Sequence, residues 1–200
     1  MPYSADHKKQ SRERIRLAAA DLFCRYGFDQ VSITQVMKHA QMTHGAFYAH
    51  FESKGELYSE AIKSAAEQSL FVREGYELNR EKIIYLIKEY LSLAHVKQEV
   101  PPCPLAFLST DIAHRDEHVK ASYEAVFNGM INKLSQVLDD GKNATQSARS
   151  MAQQLVVSLV GTVSIARSIA DPNAQQSLLD NAKSSLIALL KKTGEEGKSR

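Results

Sequence analysis

The sequence predicts an all-α chain, and three observations carry that prediction. Apolar residues recur at helical spacing almost from end to end, without a convincing run of strand-like alternation. Two capping boxes, Ser32 to Gln35 and Ser53 to Glu56, mark helix starts. The main breaks fall where glycine, proline and Asx residues cluster, as in "VPPCPL", "DDGKNAT" and "DPN".

The first helix is expected over residues 6–26, with Ile15, Ala18, Ala19, Leu22, Phe23 and Tyr26 along one face and Gly27 placed to end it. Ser32 opens a short helix to about Ala40, Thr43 caps a third through Phe51, and Ser53 starts a longer one to about Arg73. Residues 79–97 read as one helix that buries Ile83, Ile84, Leu86, Ile87, Tyr90 and Leu91. "VPPCPL" then breaks the chain, because a proline disfavours helical geometry in the residue before it. A short helix and a longer one follow to about Asp139, and "DDGKNAT" is a loop. Residues 145–170 form a long helix, "DPN" a turn and 175–192 the last helix, with 193–200 expected as a disordered tail.

The chain has 200 residues, of which 44% are hydrophobic and 24% charged, an ordinary globular composition with room for a small domain beside a larger one. Its net charge of +2 is mild, but the charge is uneven. Residues 1–50 hold seven Lys/Arg against four Asp/Glu, a surplus of three, and four of the seven histidines. The basic field therefore belongs to the N-terminal quarter. Cys24 and Cys103 do not make a disulfide framework, and Met1 leads straight into a polar, basic segment, so the cytoplasm is the expected compartment. The uncharged run from Met151 to Ala166 is too short to span a bilayer, and no membrane association is expected. Asp111, His114 and His118 could share a helical face, but they fall where one helix ends and another begins, so no metal site is assigned. No Ser/His/Asp arrangement, glycine-rich phosphate loop or paired-carboxylate site stands out; neither catalysis nor a cofactor is expected.

The most informative stretch is "THGAFYAHF", Thr43 to Phe51. At about 100° per residue Phe47 and Phe51 share one face, and Gly45 and Ala49 fall opposite. One face carries large rings and the other almost nothing, which suits close approach of a large external object. Two short helices joined by a few residues have the layout of a helix-turn-helix, whose second helix enters the DNA major groove. Small residues would let the backbone approach base edges and thymine methyls. Tyr48 flanks that face, and the Thr43 hydroxyl lies beside free backbone N–H groups that suit a phosphate. An unexplained mid-helix Gly45 would cost roughly 1 kcal/mol relative to Ala.

The segment "AAADLFCRYGFDQVSITQVMKHAQMTHGAFYAHFESKGELY" resembles the DNA-binding region of the TetR/AcrR family of bacterial transcriptional regulators. The matching landmarks include Phe23, Gly27, Ser32, Val36, Thr43, Gly45, Tyr48, His50, Phe51, Lys54 and Leu57. The resemblance implies a three-helix DNA-binding domain at 1–53 and a larger helical effector-binding and dimerisation domain at 54–192. It implies that Thr34, His44, Gly45, Ala46 and Tyr48 read bases, and that Thr43, Tyr48, His50 and Lys54 hold phosphates. Gln41 and Met42 stand in place of the usual Gly-Val of the turn, and His44 where Lys, Arg or Gln is more frequent.

The long helix after residue 145 has two faces to bury: a stripe with Ala152, Leu155, Val156, Leu159 and Val163, and a second side with Val157, Gly161, Ser164 and Ile165. With the last helix it could form a four-helix interface with a second copy, which the resemblance also implies. The residues assigned to this homodimer interface are Leu155, Leu159, Gly161, Ile165, Leu178, Ala182 and Leu186. By the same resemblance a small-molecule effector, of unknown identity, would lie among Tyr85, Tyr90, Cys103, Phe107, Tyr123 and Phe127. "PPCPLAFLSTDIA" is similar to a Cys-containing segment of family members that respond to electrophiles or oxidants, with Pro102 where Gly is usual. The expected function is a dimeric repressor that leaves a palindromic operator when an effector binds. The alternatives are an activator or ligand-independent regulator of the same fold, or a helical small-molecule binding protein without DNA binding.

Overall fold

The computed structural model describes residues 5–69, 77–139 and 145–196. The described residues are helical, without strands, and fall into two compact units. The first comprises residues up to 68 together with 102–126; the second comprises 69–101 and 127 onward. The unit that holds the head therefore extends past the expected boundary after residue 53. Leu57, Tyr58, Ala61 and Ile62 belong to the same core as Ile15, Ala19, Phe23, Phe47 and Phe51, as do Leu108, Ile112 and Val119. About 50 residues alone bury enough surface for only marginal stability, and these additions enlarge the core.

In the first unit, α1 (Ala5–Gln30) is kinked at Gly27, whose φ of 77° is the left-handed geometry that ends the straight run where expected. Ser32 forms its capping box: Gln35 N–H donates to Ser32 Oγ at 3.2 Å, and Ser32 N–H donates to Gln35 Oε1 at 2.7 Å. This starts α2 (Ile33–His39). Ser53 caps α3 (Lys54–Glu67) by accepting from Glu56 N–H at 3.0 Å. The Glu56 carboxylate reaches back one residue further than a regular box, to Glu52 N–H at 2.7 Å. The helix closes at Gln68, short of the expected Arg73, and residues 70–76 lie outside those described. Cys103 occupies the N-cap of α6 (Pro104–Ile112), and α7 (Glu117–Leu138) follows.

In the second unit, the helix expected over 79–97 is two: α4 (Arg80–Tyr90) and α5 (Leu93–Val96). Ser92 explains the break, because its hydroxyl donates to Glu89 O at 2.7 Å and accepts from His95 N–H at 3.2 Å. His95 is buried with Nδ1 2.8 Å from Tyr90 O and its ring edge-on to Tyr90 at 4.4 Å. Helix α8 (Thr145–Ala166) buries Ala152, Leu155, Val156, Leu159, Val163 and Ala166. Helix α9 (Pro172–Glu196) begins inside the expected "DPN" turn, since Asp171 accepts from Asn173 N–H at 2.9 Å and Pro172 suits a first helical position. It also runs past residue 192 to Glu196, so 193–196 are helical; 197–200 lie outside the described residues.

These burial patterns correct part of the expected dimer face. Leu155, Leu159 and Leu186 are at most 6% exposed in the isolated chain and belong to its own core. They form the inward stripe of α8 and α9. The outward side keeps Ile165 at 58% and Val157 at 55% exposure, with Gly161, Leu178 and Ala182 half-buried. A Cβ built on Gly161 would have no neighbour within 4 Å.

Candidate nucleic-acid interface

The recognition segment His44–Ala49 is wound as a 3-10 helix rather than an α-helix. Ala46 N–H donates to Thr43 O at 3.1 Å and His50 N–H to Phe47 O at 2.9 Å, the shorter i→i+3 closure suited to a six-residue piece. The sidedness read from the sequence survives the tighter winding. Phe47 and Phe51 are buried and stacked at 5.8 Å, whereas Thr43, His44, Gly45, Tyr48 and Ala49 are exposed. Nothing lies within 4 Å of a Cβ built on Gly45. Ala46 is half-buried against the core, so part of its methyl group is turned away from an incoming base pair.

The turn before this helix places Gln41 at φ 56°, left-handed geometry that glycine adopts freely and that costs another residue about 1–2 kcal/mol. The turn is held by Met42 N–H donating to Met37 O at 2.8 Å and by Arg14 Nη2 donating to Ala40 O at 2.5 Å. Thr43 sits at the N-cap without a side-chain capping bond, leaving its exposed hydroxyl to face outward chemistry. Thr34 Oγ1 lies 3.2 Å from His44 Nδ1, so α2 steadies the first residue of the recognition helix. With the hydroxyl as donor, the imidazole proton sits on Nε2, a donor that a purine N7 or O6 can accept. Tyr48 is 65% exposed and packs edge-on against Phe47 at 5.2 Å, which fixes the ring and leaves the hydroxyl outside.

His50 and Lys54 flank this face. His50 is half-buried, and its Nδ1 has no hydrogen-bond partner among the described residues. Burial first, then Lys8, Arg12 and His7, hold its pKa below the ordinary imidazole value. Arg12 donates to His50 O, lies 4.1 Å over the Phe51 ring and pairs with Glu56 at 3.4 Å. The Lys54 ammonium lies 4.1 Å over the Phe28 ring, its pKa lowered by burial.

Sequence reasoning did not find the arginines that assemble this surface. Arg16 pairs with Glu60 at 3.4 Å and Glu67 at 3.1 Å, tying α1 to α3. Arg115 reaches Asp29 across 86 positions of sequence. Among the residues expected around an effector, Cys103, Phe107 and Tyr123 come from the first unit. Tyr123 donates to Leu105 O at 2.8 Å, and burial, with Cys103 adding to it, pushes its pKa up to about 12. Tyr85, Tyr90 and Phe127 belong to the second unit, where Tyr85 is 49% exposed and Tyr90 packs on His95. A concavity of 630 Å³ lies on the head, between the end of α1 and α2, lined by Leu22, Tyr26, Val31, Gln35, Lys38 and His39 among others. No helix among the described residues is long and apolar enough to cross a membrane.

A basic head that presents a thin recognition helix after a short preceding helix has the geometry of a DNA-binding helix-turn-helix. Residues 15–61 match the model of the bacterial regulatory proteins of the tetR family. Over 137 residues it is 24% identical to the HTH-type transcriptional repressor NemR of Escherichia coli strain K12, covering 66% of this chain and 69% of that protein. It is 22% identical over 165 residues to the repressor BepR of Brucella suis, covering 76% and 78% of the two chains. The fold superposes on the reduced form of E. coli NemR with a TM-score of 0.68 at 20% identity, over 88% of this chain and 95% of that one. It also matches Bacillus subtilis FadR in complex with stearoyl-CoA, with a TM-score of 0.62 at 19% identity, over 88% and 96%.

If His44 reads a base and Tyr48 holds a phosphate, as the resemblance implies, the two respond differently to mutation. His44→Ala is expected to cost roughly 1–3 kcal/mol at one symmetric pair of operator positions and little elsewhere. Tyr48→Phe should weaken specific and nonspecific DNA in similar proportion. Binding measured over single-base operator variants at fixed salt checks both; an unchanged base preference in His44→Ala would remove the histidine as a reader.

Proposed function

We propose that the chain is a dimeric repressor that occupies a palindromic operator and leaves it when a small-molecule or electrophilic effector binds. The observation that carries this reading is the exposed, bare face of His44–Ala49, anchored from behind by Phe47 and Phe51. Residues 1–53 would read DNA, and residues 54–192 would dimerise and take the effector. One recognition helix reads one half-site, so a symmetric pair spaced near a helical turn reads a palindrome. The outward side of α8, with Val157, Gly161 and Ile165, offers a second copy an apolar face with room for close helix approach. An effector acts only through its preference for the conformation that does not fit DNA, and the coupling equals that difference in affinity. Cys103 is half-buried at the N-cap of α6, where the helix dipole favours a thiolate.

Two measurements test this reading. Gly161→Arg has open space in the isolated chain and should fold, yet a long charged side chain would block helix approach. Sedimentation is expected to show folded monomers that have lost operator binding; an intact dimer would remove Gly161 from the interface. A thiol-specific electrophile is expected to weaken operator binding of the wild type and to leave Cys103→Ser unaffected. Equal loss in both proteins would assign the response to another group, and no response in either would make Cys103 a packing residue.

A further inference from the structure

Arg115 follows α6 in sequence and folds onto the head. Its guanidinium donates to both oxygens of Asp29, at 2.6 and 3.2 Å, and to both oxygens of Asp111, at 2.6 and 3.4 Å. It also lies 4.4 Å over the Phe28 ring, the same ring that carries the Lys54 ammonium at 4.1 Å. Asp111 additionally accepts from the Tyr58 hydroxyl at 2.5 Å. Two carboxylates and two cations thus converge where the end of α1, the start of α3 and the end of α6 meet. One cation holds both carboxylates, while Lys54 forms no ion pair among the described residues.

We propose that Arg115 is a positioning residue for DNA binding: by holding the carboxylates of Asp29 and Asp111, it leaves the Lys54 ammonium available to a DNA phosphate. This rests on Lys54 as a phosphate contact. Asp29 is 72% exposed, so without Arg115 it would set an uncompensated negative charge at the surface of the head. Lys54 is the other cation that acts on Asp29, and both carboxylates pull on Lys54 in turn. Without Arg115, therefore, the carboxylates would draw Lys54 toward themselves and oppose an approaching phosphate. A guanidinium suits this place because its planar fork serves two carboxylates at once and stacks on a ring.

The experiment measures operator affinity as a function of salt for the full-length wild type and three variants. These are Lys54→Gln, Arg115→Gln, and Arg115→Gln combined with Asp29→Asn and Asp111→Asn. Each phosphate contact contributes about one to the slope of log K against log salt, so a dimer that loses Lys54 from both heads should lose about two. Arg115→Gln is expected to lose the same amount although the lysine is still present, and the triple variant to regain most of it. A structural role for Arg115 predicts the opposite for the triple variant, which has lost more ion pairs and cannot be rescued. If Lys54→Gln binds like the wild type, Lys54 is not a phosphate contact and both the contact and the proposal fall. If Lys54→Gln flattens the slope while Arg115→Gln does not, or the triple variant stays as weak as Arg115→Gln, the contact stands and the role of Arg115 is overturned.

Discussion

The DNA-reading surface depends on one packing constraint: Phe47 and Phe51 must be buried for the opposite side of a six-residue helix to be presented at all. A helix this short has no intrinsic stability in water. Fully burying a phenylalanine stabilises by about 1.5–3 kcal/mol, so these two rings supply the main driving force that the local backbone lacks. Their sockets come from several elements, with Ile15, Ala19 and Phe23 on α1, Val36 and Met37 on α2, and Leu57 and Ile62 on α3. The head is therefore not separable from the helix that follows it. The same core takes in Leu108 and Ile112 of α6, the helix that begins at Cys103. A change around Cys103 and Phe107 would thus act on a helix whose other end is built into the recognition core.

Electrostatics refines what packing sets. Arg12, Arg14, Arg16 and Arg115 all lie in or on the basic head, yet each is engaged with a carboxylate or a backbone carbonyl. The N-terminal surplus of positive charge is therefore partly structural: it ties α1 to the α2 turn, to α3 and to the residues after α6. The groups proposed for DNA are mostly of another kind, namely the hydroxyls of Thr43 and Tyr48, the imidazoles of His44 and His50, and the Lys54 ammonium. This division fits a recognition surface in which geometry, more than bulk charge, positions the contacts.

Local signals were legible in the sequence and long-range ones were not. Ser32 and Ser53 announce their helices because a cap is a contact between residues three apart. The sidedness of 43–51 was legible because ring and glycine positions alone fix it. The break at Ser92 was missed because the apolar spacing of 79–97 is continuous, while one hydroxyl redirects the backbone. Leu155, Leu159 and Leu186 were assigned to a partner because periodicity reveals that a face is apolar but not what covers it; the chain's own core does. Gln41 shows a related limit, since tertiary contacts hold it in a left-handed turn for which its residue type gives no warning. Arg115 was invisible because its partner Asp29 is 86 residues away.

Gly45 offers the most direct test, because the protein's own packing gives no reason for a glycine there. A side chain at this position meets nothing within 4 Å, so Gly45→Leu should leave the fold intact and its thermal midpoint unchanged or slightly raised. If the bare face exists for close approach to base edges, operator affinity in this variant should collapse to the level of nonspecific DNA. Wild-type operator affinity in a folded Gly45→Leu protein would contradict the assignment of this face to the DNA groove.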